Sequence, residues 1–226
     1  CSFTIYQWDT WADIIGHHVP EYYNYGIAGS GNHCIFNSIA EANERHKFTK
    51  DDLVIVMWSG VTREDRYIKN AWLHCGNIYN QEVYDDNFVI RFTCPRGYLI
   101  RDLAYMSTIK NILQNSSSDW DFLSMNDISG GGSENAFGDK TDTTGLSPDT
   151  TDVMDLYKTT IDSIRLSCID FVNSKYPQGT GDDTSYIFSH PNKIIDCHPT
   201  PKMYYEYLCE IYPHHNLSSD VRDSVL

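Results

Sequence analysis

Leu53-Val54-Ile55-Val56-Met57-Trp58 is an unbroken apolar run, and the lack of any polar face predicts a β-strand covered on both sides, as in a parallel sheet. Trp120-Asp121-Phe122-Leu123-Ser124-Met125 predicts a second strand, and Tyr22-Tyr23-Asn24-Tyr25 a short one. The latter runs into Gly26-Ile27-Ala28-Gly29-Ser30-Gly31-Asn32, whose glycines predict a tight loop, followed by a helix over 33–46. Thr10 and Asp13 have capping-box spacing ahead of an apolar stripe, predicting a first helix to about His17. A long helix after Pro95 is expected to bury Leu99, Ile100, Leu103, Ala104, Met106, Ile109 and Leu113. Helical periodicity returns over 152–176 and 201–212. The mixed stretch 62–92 predicts an irregular, partly helical insertion, and the Gly-, Ser-, Thr- and Asp-rich stretch 126–150 a flexible loop. Strand, loop and helix recurring in this order predict an α/β fold: a parallel sheet between two helical layers, in a single domain over 1–226.

Composition narrows the function classes. With 226 residues and 41% hydrophobic content the chain can bury one substantial core. Its 17 Lys and Arg against 31 Asp and Glu give a net charge of -14, which argues against nucleic acid as a partner. No apolar run approaches the ~20 residues of a membrane span. The seven cysteines form no CxxC pair and read as reduced thiols, which favours an intracellular protein. The first residue is Cys1 rather than Met, so an upstream segment is expected, and any targeting signal there is unread. His17-His18 and His214-His215 are adjacent pairs that diverge by about 100° on a helix, so no metal and no cofactor is expected. Arg63-Glu64-Asp65-Arg66 reads as a solvated charged turn.

Reactive groups in open α/β sheets collect at the carboxyl ends of strands. Four segments are candidates: Cys1-Ser2-Phe3-Thr4, the 24–32 loop, Trp58-Ser59-Gly60-Val61-Thr62-Arg63, and Asp196-Cys197-His198-Pro199. In an extended segment Asp196 and His198 share a face. These segments resemble, in order, the sequence blocks of the SGNH (GDSL-like) hydrolases, and their wording resembles divergent members encoded by phages and other viruses. The resemblance implies a flavodoxin-like three-layer α/β/α sandwich and a serine-dependent ester hydrolase or carbohydrate deacetylase acting on a small-molecule or glycan ester. It makes Ser2 the nucleophile, His198 the general base and Asp196 its orienter, with Gly29 in the oxyanion hole. Two departures stand out. One residue separates Asp196 from His198 where the family has two. Val61 falls where the family has an Asn donor, and Asn32, Thr62 or Arg63 is then the candidate substitute. A non-catalytic descendant that keeps the fold for binding is the alternative.

Overall fold

The computed structural model describes residues 1–78, 83–128, 150–176 and 198–214. It is a mixed α/β chain centred on a parallel strand pair, β1 (Leu53–Trp58) and β4 (Asp119–Ser124), aligned from Leu53 opposite Asp119 to Trp58 opposite Ser124. Side chains alternate across a strand, and both faces find apolar partners. Val54, Val56, Trp58, Trp120 and Phe122 pack into one cluster, with Ile39 of helix α2 (Asn32–His46) and Leu99, Leu103, Met106, Ile109 and Leu113 of helix α4 (Pro95–Ser116). Ile55, Met57 and Leu123 pack into the other. Its partners are Cys1, Phe3 and residues of α1 (Trp11–Gly16), α7 (Cys168–Lys175) and α8 (Pro201–Ile211). This two-sided burial explains why Leu53–Trp58 reads as apolar throughout.

The first helix is stabilised as its sequence predicts. Asp13 reaches back to the N–H (2.9 Å) and hydroxyl (2.7 Å) of Thr10, meeting donors that the helix start leaves unpaired. In α4 Leu99, Leu103, Met106, Ile109 and Leu113 of the expected stripe are buried, whereas Ala104 is half-buried and Ile100 is 41% exposed; Tyr98 and Asp102 join the buried face. At α8, Pro201 occupies the first turn and Thr200 Oγ1 accepts from Met203 N–H.

Three expectations are corrected. Residues 22–25 form no strand. The polar groups of Asn24 instead serve Thr4 O (2.8 Å) and Gly26 N–H (2.8 Å). The 62–92 stretch is more regular than expected. It holds an antiparallel hairpin, β2 (Arg63–Ile68) and β3 (Ala71–Asn77), then α3 (Asp86–Phe92). Lys69 and Asn70 turn the hairpin with φ of 52° and 63°, the left-handed pair of a two-residue loop. Finally, 152–176 is not one helix. α5 (Thr151–Leu156) and α6 (Lys158–Ile161) precede a break where Ile164 bridges in parallel to Phe122 and Arg165 N–H donates to Phe122 O (2.8 Å). Ser167 then caps α7 by accepting from Asp170 N–H.

Candidate functional site

Buried polar side chains gather where β1 and β4 end. Ser59 follows β1, Ser124 and Asn126 end and follow β4, Ser30 precedes α2 and Asn32 opens it, and Asp65 and Asp102 approach from β2 and α4; each is at most 5% exposed. Burying this many polar groups is costly unless each finds a partner. Asn32 is the main link. Its Oδ1 accepts from Ser59 N–H (2.7 Å), and its Nδ2 donates to Ser59 O (3.0 Å) and to Asp102 Oδ2 (2.7 Å). Both amide protons are therefore spent, so Asn32 pins the strand end and is not the spare oxyanion donor that its sequence position suggested.

Asp102 is wholly buried, and Arg101 Nε donates to its other oxygen at 2.7 Å. Burial pushes the Asp102 carboxyl up to about 6, against the pull of Arg101 and the Asn32 hydrogen bond, with Asp65 adding a smaller push. Arg101 also reaches Glu64 (3.3 Å) and Arg63 O (2.9 Å), tying α4 to the start of the hairpin. Asp65 caps α2 from outside that helix. Its carboxylate accepts from Gly31 N–H (2.7 Å) and Cys34 N–H (2.9 Å), satisfying helix-end donors with an anion at the positive end of the dipole. A Cβ at residue 31 would lie 2.7 Å from Arg63 Cβ, so glycine is what permits this approach. The Arg63–Arg66 run is thus a strand with one acid turned inward, and not a solvated turn.

Ser2 is 8% exposed, in a turn closed by Thr4 N–H donating to Cys1 O (2.9 Å). His198 lies against the same segment. Its ring stacks on Tyr6 with centroids 4.0 Å apart and lies 5.7 Å from the Phe3 ring, while Trp8 Nε1 donates to Pro199 O at 2.9 Å. The first and last candidate segments, nearly 200 positions apart, are therefore neighbours. Asp196 lies outside the described residues. Gly29 has φ of 76°, a conformation that favours glycine, and its carbonyl accepts from Gly76 N–H (3.3 Å).

Val61 packs against the apolar cluster of Trp58, and Thr62 Oγ1 accepts from Asn77 Nδ2 (3.1 Å). Arg63 places its guanidinium between Ser30 O (3.3 Å) and Met125 Sδ (3.7 Å). Asn126, which the sequence did not single out, has both side-chain polar atoms buried without a hydrogen-bond partner, as does the Ser59 hydroxyl. Cys34 is not an activated thiol, because burial and then the Asp65 charge push it upward. Among the described residues no group of three or more His, Cys, Asp or Glu side chains is placed to hold a metal ion, and no helix is long and apolar enough to cross a membrane. No protein-family model, curated protein or solved structure matches the chain.

Proposed function

We propose that the chain is a serine-dependent ester hydrolase or carbohydrate deacetylase of SGNH type, built as a flavodoxin-like three-layer α/β/α sandwich. The observation that carries this reading is the packing of His198 against the segment that holds Ser2, through Tyr6, Phe3 and the Trp8 bond to Pro199, beside a set of buried polar groups at the strand ends. In this mechanism Ser2 Oγ attacks the acyl carbonyl while His198 takes its proton, and Asp196 orients the imidazole. His198 then returns the proton to the departing alcohol, and water releases the acyl group. In this mechanism the main-chain N–H groups near Ser2 and Gly29 are the candidate donors to the developing oxyanion. Asn126 is the amide with protons to spare, so it replaces Asn32 as the candidate side-chain donor.

The binding-module alternative has its own support, because Val61 supplies no donor and packs into the core instead. One missing oxyanion donor costs about 10²–10³ in rate. Short-chain chromogenic esters decide between the two. Turnover that vanishes in Ser2→Ala, with fluorophosphonate labelling of Ser2 by mass spectrometry, is the expected result. A chain that turns over no acyl ester across a broad series and leaves Ser2 unlabelled is not a hydrolase.

A further inference from the structure

The described part of the His198 segment is held by one short stretch of chain, residues 3–8. Tyr6 lies almost parallel to the imidazole, with centroids 4.0 Å apart and planes at 21°, and Phe3 adds a tilted contact at 5.7 Å. Trp8 serves both sides of this contact. Its ring meets Tyr6 at 4.7 Å and 72°, and its Nε1 donates to Pro199 O at 2.9 Å. The side chain of His198 and the main chain just after it are therefore fixed from the same stretch.

That stretch follows directly on Ser2, and it is anchored in turn. Thr4 O accepts from Thr10 Oγ1 (3.0 Å), just before α1, and from Asn24 Nδ2 (2.8 Å), while Thr4 N–H donates to Cys1 O (2.9 Å). Phe3 is 1% exposed, with Tyr204 of α8 edge-on to it at 6.1 Å and 83°. Only Phe3, Thr4 and Ile5 separate Ser2 from Tyr6. The candidate nucleophile and the ring stacked on the imidazole thus share one frame.

An imidazole has two side-chain torsions to fix. A hydrogen bond to one ring nitrogen selects the tautomer and anchors one edge, but the ring can still swing about that bond. A stacked ring removes the swing, because tilting the imidazole costs the face-to-face contact. We infer, on the hydrolase reading, that Tyr6 is a positioning residue: its ring sets the plane of His198 and so aims the imidazole at the Ser2 hydroxyl. The role belongs to the ring and not to the phenol oxygen, so phenylalanine can fill it and an aliphatic side chain cannot. A base misplaced by ~1 Å costs ~100-fold in rate. With Phe3 and the Trp8 bond still in place, loss of the stack alone is expected to cost ~10–50-fold.

Steady-state kinetics and NMR on the full chain test this together. Tyr6→Leu is expected to lower kcat by ~10–50-fold with KM within ~2-fold of the parent, and Tyr6→Phe to retain most of kcat. Trp8→Phe keeps a ring beside Tyr6 but loses the bond to Pro199 O, with an expected kcat loss of ~3–10-fold. Without substrate, the ring current of Tyr6 is expected to hold the carbon-bound ring protons of His198, identified by their loss in His198→Gln, upfield of those of an exposed histidine. That shift disappears in Tyr6→Leu and returns in Tyr6→Phe. Unchanged kcat in Tyr6→Leu, or in Trp8→Phe should the Leu variant not fold, overturns the inference while Ser2→Ala still abolishes turnover. A rise in KM with kcat intact also overturns it, because it assigns Tyr6 to substrate contact, and so do His198 resonances that stay in place in Tyr6→Leu. No turnover by the parent, with the ring shift intact, is instead the failure of the hydrolase reading, and it overturns the positioning role along with it. Ser2-dependent turnover in the parent therefore tells the two failures apart.

Discussion

Asp102→Asn removes one ionisation from the centre of the molecule while keeping the shape of the side chain and its ability to accept from Asn32. Burial holds the Asp102 carboxyl at about 6 against an ordinary value of 3.8, despite Arg101 and Asn32 pulling the other way. A folded-state value above the unfolded one means that the native protein keeps this proton longer. The associated stability is fully present below about pH 4 and is lost as pH rises through about 6. The interval corresponds to ~3 kcal/mol at ~1.4 kcal/mol per pH unit, a sizeable part of the 5–15 kcal/mol typical of a domain. Urea unfolding of both proteins from pH 4 to pH 8 measures the difference directly. The amide NH2 that then faces Arg101 Nε sets a pH-independent offset, and relative to its standing near pH 4 the Asn variant should gain ~2–3 kcal/mol on the parent by pH 7. Parallel stability curves over this range would refute the reasoning. They would mean that Arg101 and Asn32 compensate the buried charge in full.

Other expectations follow from the same contacts. Asp65→Ala strips the Gly31 and Cys34 N–H groups of their acceptor and should cost ~2–4 kcal/mol in urea unfolding; Asp65→Asn should cost less. Tyr207→Phe leaves Leu166 O without its buried 2.7 Å donor, so a loss of ~1–2 kcal/mol is expected by thermal unfolding. Replacing Lys69-Asn70 with Asn-Gly suits the positive φ at both positions and should stabilise the hairpin by up to ~1 kcal/mol, read as a higher midpoint. Unchanged midpoints in the Asp65 or Tyr207 variants would mean that those bonds add nothing net.

The parts of the fold legible in the sequence are those where one period dominates. β1 and β4 read clearly because both faces are buried, and α4 because its apolar residues recur at helical spacing. The hairpin escaped because Arg63-Glu64-Asp65-Arg66 is polar whichever way it points, and its turn carries Lys-Asn in place of a glycine signal. Tyr22–Tyr25 has the β-propensity expected of a strand, but propensity supplies no pairing partner. The break at Ile164 depends on a bridge to Phe122, a contact invisible to local pattern. At the candidate site, Ser2 and His198 could be named from the sequence, whereas Asp102 could not. The available signal was one acid inside the apolar stripe of α4, between Leu99 and Leu103. Asn32 was noticed for the wrong role, because its three bonds are to groups far away in the chain.

The Asn32 clasp on Ser59 also bears on alignment. Its amide occupies the donor and acceptor positions that a neighbouring main chain would use just past the end of β1. On the edge of β1 turned away from β4, main-chain pairing is therefore blocked beyond Met57. The side chain therefore acts as an end stop, closing that edge to main-chain pairing just beyond the last residue of β1.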